Sequence, residues 1–157
     1  MEINPIPFPR SFEGLPYDKL EKLDFVLIEY LDFLSDSIRF KDLEKYITKF
    51  KCQVGLAHTD LFRLGQKHKS EGGLDYIVNF LKRNNIFWEI NSNLAYESFD
   101  DIIYYNDKNE ISTLIGKLKN CNIKVTVGSD KHSKDDIELG RFVMANQIAN
   151  YINSGKI

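Results

Sequence analysis

The sequence is poor in the residues that announce most chemistries: it holds two cysteines, three histidines and one tryptophan in 157 residues. Cys52 and Cys121 stand apart at no metal-ligand spacing, which argues against a thiolate metal site or a disulfide framework and for reduced thiols. Basic residues are not in excess, with 21 Lys and Arg against 23 Asp and Glu, a net charge of −2. That balance gives no electrostatic footprint for nucleic acid or an anionic membrane. No apolar run approaches the roughly 18 residues of a membrane span. The opening stretch MEINPIPFPR has neither the basic region nor the apolar core of a secretory leader, so the expected location is cytoplasmic. Gly72-Gly73 does not lead into a phosphate-binding loop, and Ser129 has no histidine at a spacing that argues for a triad. With no low-complexity tract and no linker, residues 1–157 read as a single domain large enough to bury a core.

What is present is a repeated alternation. Leu43, Tyr46, Ile47 and Phe50 fall at i, i+3, i+4 and i+7; so do Leu74, Ile77, Val78 and Leu81, and Ile111, Leu114, Ile115 and Leu118. Each set puts an apolar stripe on one face of a helix. A compact apolar run follows each one: CQVGLAH (52–58), IFWEIN (86–91) and IKVTVG (123–128). DFVLIEY (24–30) reads the same way, and MEIN is a candidate stub of another strand. Strands alternating with amphipathic helices predict an α/β fold with a mainly parallel sheet. A final helix is expected over 135–153, with Leu139, Phe142, Val143, Asn146, Ala149 and Ile152 at helical spacing and Ser133 with Asp136 as its capping box. Residues 5–16, which contain all four prolines, are expected to form an irregular loop.

Parallel α/β folds gather ligands at the carboxyl ends of their strands. Those ends carry Ala57-His58-Thr59-Asp60, Glu89-Ile90-Asn91-Ser92-Asn93 and Gly128-Ser129-Asp130-Lys131-His132, with Glu2, Asn4 and Glu29 from the earlier strands. Two of the three histidines therefore belong to one rim. His68, in the charged stretch GQKHKSEGG, reads as solvated. Glu89, between Trp88 and Ile90, reads as a strand residue facing a neighbouring helix. In extended chain Asp130 and His132 point to the same side, and imidazole with carboxylate is a donor mix suited to zinc, manganese and iron. Read alone, Asp130 serves equally as the start of a turn into the last helix.

In order and spacing, VGLAHTDLFR, FWEINSN and VTVGSDKHSKDDI resemble the last three motifs of the PHP (polymerase and histidinol phosphatase) superfamily, from about residue 24 to 136. The resemblance implies a partial or distorted (βα)7 barrel and a metal-dependent phosphoesterase, histidinol-phosphatase-like, acting on a phosphorylated small molecule. It implies divalent zinc, manganese or iron held by His58, Asp130 and His132, with Glu2 as a further ligand and Asn91 orienting the site from behind the ligands. Such ions activate water and clamp a phosphoryl group during in-line attack. The sequence departs from the family pattern in three places. It has no His-x-His strand, it offers Glu29, Tyr30 and Leu31 where a further histidine is expected, and it places Lys131 where the family has a small residue. These departures define a second expectation: a catalytically inactive remnant kept as a binding or interaction module. Missing strands would also leave an open sheet edge, to be covered by a partner, by self-association or by the 5–16 loop.

Overall fold

The computed structural model describes residues 1–34, 39–92, 108–129 and 139–154. Five strands, β1 (Glu2–Ile3), β2 (Phe25–Glu29), β3 (Gln53–Ala57), β4 (Phe87–Asn91) and β5 (Val125–Gly128), form one sheet in the order β1-β2-β3-β4-β5. Every neighbouring pair is parallel. The described helices are α1 (Arg10–Glu13), α2 (Tyr17–Leu20), α3 (Phe40–Ile47), α4 (Leu61–Lys67), α5 (Leu74–Arg83), α6 (Lys108–Asn120) and α7 (Leu139–Asn153). No helix among the described residues is long and apolar enough to cross a membrane.

Among the described helices, α1 and α3 to α7 pack on one side of the sheet. Val26, Ile28, Val54, Leu56, Trp88, Ile90 and Val125 form one core with Leu43, Ile47, Leu64, Ile77, Leu81, Leu114, Leu118 and Ala149 from the helices. Strand residues of opposite parity face the other way, where Leu27, Ala57 and Phe87 make a small separate cluster. Close approach on that second face requires glycine at position 55. A Cβ there would fall 2.3 Å from the Phe87 ring, which lies across the neighbouring strand.

Several expectations are corrected by this packing. Glu89 shares its parity with Phe87, so it faces away from the helix layer instead of toward it. The Pro-rich segment is the β1–β2 crossover and contains a helical turn, α1. Its Phe12 is fully buried, 5.9 Å from the Phe8 ring and 5.4 Å from Tyr46 of α3, so aromatic packing orders a stretch whose composition signals a loop. His68 is only 7% exposed, stacked on Phe40 with centroids 4.6 Å apart and set 3.1 Å from the Glu71 carboxylate. In α7 the buried face is Ala145, Ala149 and Ile152, whereas Leu139 and Val143 are exposed. The capping box expected at Ser133 and Asp136 lies outside the described residues.

Gly55→Ala is expected to lower stability by about 1–3 kcal/mol, the usual cost of overpacking. In a denaturation double-mutant cycle with Phe87→Ala, most of that cost should vanish, since the clash is with one ring.

Candidate functional site

The carboxyl ends of β2, β3 and β4 meet at His58. Thr59 fastens the first two: its hydroxyl donates to the Ala57 carbonyl at 2.9 Å and accepts the Leu31 N–H at 3.2 Å. The Tyr30 N–H also reaches the Ala57 carbonyl, at 3.3 Å. From the other side the Trp88 indole N–H donates to the Thr59 carbonyl at 3.1 Å. Asp60 then caps α4, its carboxylate accepting from Phe62 N and Arg63 N at 2.8 and 3.1 Å. Every residue of Ala-His-Thr-Asp thus has a task, and three of the four hold the fourth in place.

His58 itself has φ of +47°, and Tyr30, the residue after β2, has φ of +52°. A left-handed backbone in a bulky residue is disfavoured and persists where surrounding contacts over-determine it. Both turns serve one end: the two rings stack with centroids 5.2 Å apart and planes within 16°. The buried imidazole, 6% exposed, lies between Asn91 and Glu29. Its Nδ1 is 2.8 Å from the Asn91 side-chain amide, and its Nε2 is 3.4 Å from Glu29 Oε1. Asn91 is buried at the end of β4, opposite Gly128 of β5, where Ser92 N and Oγ both donate to the Gly128 carbonyl.

Two proton arrangements satisfy the His58–Asn91 contact. In one, Nε2–H points at the Glu29 carboxylate and Nδ1 accepts from the Asn91 NH2. In the other, Nδ1–H donates to the Asn91 oxygen with the amide turned over, and Nε2 presents its lone pair. The second is the arrangement a metal-ligating imidazole uses, with a hydrogen-bonded partner fixing its tautomer from behind. Here, however, the Nε2 lone pair would face the Glu29 carboxylate, a contact that is favourable only with a proton or a cation between them.

The structure brings together His58 and Asn91 of the sequence-derived site residues, and adds Glu29. Glu2 is exposed and pairs with Leu27, one row of the same face nearer the amino ends of the strands than Glu29. Asp130 and His132 lie outside the described residues. Among the described residues no group of three or more His, Cys, Asp or Glu side chains could hold a metal ion. Glu89 flanks Ala57 on the same face as Glu29, and its carboxylate leans over Gly128, where a Cβ would fall 2.6 Å away. A cavity of about 430 Å³ lies at the opposite ends of the strands, lined by Gln53, Phe87, Cys121 and Lys124 among others, and shares no residue with this rim.

One acid at the rim has a different character. Asp32, in the 3-10 turn Leu31–Phe33, is 2% exposed, and its Oδ1 has no hydrogen-bond partner. Burial pushes its carboxyl up to about 6, with the Asp60 charge adding to the effect and Arg63, 3.8 Å away, opposing it. Compared with family models, curated proteins and solved structures, the chain matches none.

A raised carboxyl pKa means that the folded state holds the proton more tightly than the unfolded chain. The stabilisation is full below the ordinary carboxylate range and is lost as pH rises through about 6. Asp32→Asn removes this dependence, so the variant should gain on the wild type between pH 4 and 7, by about 2–3 kcal/mol at most. Urea unfolding midpoints across that range measure the gap.

Proposed function

We propose that the rim around His58 belongs to a PHP-like, metal-dependent phosphoesterase domain, histidinol-phosphatase-like in its motifs. The observation that carries this reading is the setting of His58, whose imidazole is buried at a strand end, backed by Asn91 at Nδ1 and turned with Nε2 toward a carboxylate. The sheet supports it as well. Strands following in chain order, with the described core-forming helices on one side, suit an incomplete barrel better than a doubly wound sheet, whose helices cover both faces.

On this reading His58, Asp130 and His132 hold the cation, with Glu2 as a further candidate. Bound there, zinc, manganese or iron would activate water and neutralise charge on a phosphoryl group. The chain's own contribution is orientation. Asn91 fixes which imidazole nitrogen faces the site, Tyr30 fixes the plane of the ring, and the Thr59 and Trp88 hydrogen bonds hold the turn that aims it. The substrate would be a phosphorylated small molecule, with no nucleic acid and no membrane involved. A second reading, an inactive relative retained as a binding module, is favoured by Glu29, Tyr30 and Leu31 standing where the resemblance expects a further histidine.

The experiment is metal analysis of protein purified without chelator or histidine tag, followed by hydrolysis of p-nitrophenyl phosphate and histidinol phosphate with added Mn2+, Zn2+ or Fe2+. The enzyme reading predicts about one or more bound metals and turnover that falls by about 100-fold or more in His58→Ala and in Asp130→Ala/His132→Ala. Bound metal without turnover supports the binding module. Folded protein with neither metal nor turnover overturns the proposal.

A further inference from the structure

We infer that the cavity at the amino ends of β3, β4 and β5, at the opposite strand ends from His58, is a binding site for a small organic anion. The inference is independent of the reading of the rim. The cavity measures about 430 Å³, inside the roughly 300–1,000 Å³ range of small-molecule sites. Among the described residues its lining includes Lys82, Lys124, Gln53, Asn85 and Asn122 and no Asp or Glu. Neither lysine makes an ion pair among the described residues. Lys124 meets only neutral groups there: its Nζ is 3.5 Å from Gln53 Oε1 and 5.8 Å from the centre of the Phe87 ring. It thus crosses the start of β4 to reach β3, from a backbone whose carbonyl accepts the Trp88 N–H at 3.0 Å.

The turns that form the rest of the lining are built alike. Asn85 after α5 and Asn122 after α6 both take left-handed backbone, with φ of +51° and +56°. The next N–H returns to the helix, Ile86 to the Leu81 carbonyl and Ile123 to the Leu118 carbonyl, each at 2.9 Å. Those bonds engage carbonyls that would otherwise turn the negative ends of two helices on the cavity. Glycine is the usual residue at such a turn because it adopts the conformation without strain. Asparagine at both turns adds a side-chain amide, and both residues are exposed. A place in the last turn of α5 accounts for Lys82 as a partner of the helix dipole, but it accounts for neither Lys124 nor the hollow. An anionic group in this cavity would accept from ammonium and amide donors, with its hydrocarbon part toward Phe87. Carboxylate and phosphate share this chemistry.

The test is an NMR titration of the isotope-labelled full chain, in EDTA so that the rim stays metal-free, with phenyl phosphate, benzoate and neutral benzyl alcohol. Both anions should shift the signals of Asn85, Asn122 and Lys124, more weakly as salt rises, and the tighter of the two identifies the head group. Lys82→Met/Lys124→Met should bind at least about tenfold more weakly, whereas Lys22→Met, an exposed control, should bind as the wild type does. Asn85→Gly/Asn122→Gly separates binding from turn formation: it should keep or raise Tm and still lose about threefold or more in affinity. Wild-type affinity in either double variant overturns the inference. So do equal binding of benzyl alcohol, shifts confined to the His58 rim, or no binding of any probe.

Discussion

The arrangement depends on one constraint: all five strands run the same way. With parallel strands following in chain order, right-handed crossovers return across the same face, and parallelism collects every carboxyl end on a single rim. Glu29, His58 and Asn91 lie at the ends of three separate strands and are spread over 63 sequence positions, yet strand register and the left-handed turn at His58 bring them into contact. The same parity rule sorts the strand side chains. Trp88 and Ile90 go to the helices, whereas Phe87 and Glu89 go to the opposite face. The apolar core and the polar rim are therefore two consequences of one backbone pattern.

Holding the rim in shape has a conformational cost, visible at Tyr30 and His58. Two bulky residues in left-handed backbone would each prefer to relax. Relaxation at His58 is opposed by the Thr59 hydroxyl, which spans Ala57 and Leu31, by the Trp88 indole on the Thr59 carbonyl, and by the start of α4 at Asp60. None of these contacts is needed merely to end a strand. A glycine would turn the chain at position 58 without strain, but it would carry no imidazole to the place between Glu29 and Asn91.

Strand and helix order was legible because apolar stripes of period 3.6 and short apolar runs are local properties. Legibility failed where tertiary packing chose among local options. The last helix is apolar on nearly every side, so its periodicity could not say that Ala145, Ala149 and Ile152 would be the buried face. Phe12 gains enough from Phe8 and Tyr46 to order a proline-rich stretch, and Phe40 draws His68 out of a charged stretch into the core. At the site, His58 and Asn91 were readable as strand ends. Glu29 was visible too, closing the run FVLIE, but its meaning depends on a register partner 28 positions away. The usable signal was that two successive strands end one residue apart on chemically complementary side chains.

Glu29 and Asp32, three residues apart, show how environment divides like groups. Asp32 lies among Leu31, Leu34 and the start of α4 with Oδ1 lacking a partner among the described residues, and an Arg63 guanidinium 3.8 Å away also covers the Phe33 ring. Such a group adapts to burial by keeping its proton, and its pKa near 6 reflects that. Glu29 sits on the rim 3.4 Å from an imidazole whose other nitrogen meets Asn91. A protonated acid is a poor donor to a cation, and an enclosed one is out of reach of solutes. Of the two carboxyls, the one on the strand end is held at the rim by sheet register, whereas the one in the turn is enclosed by apolar side chains.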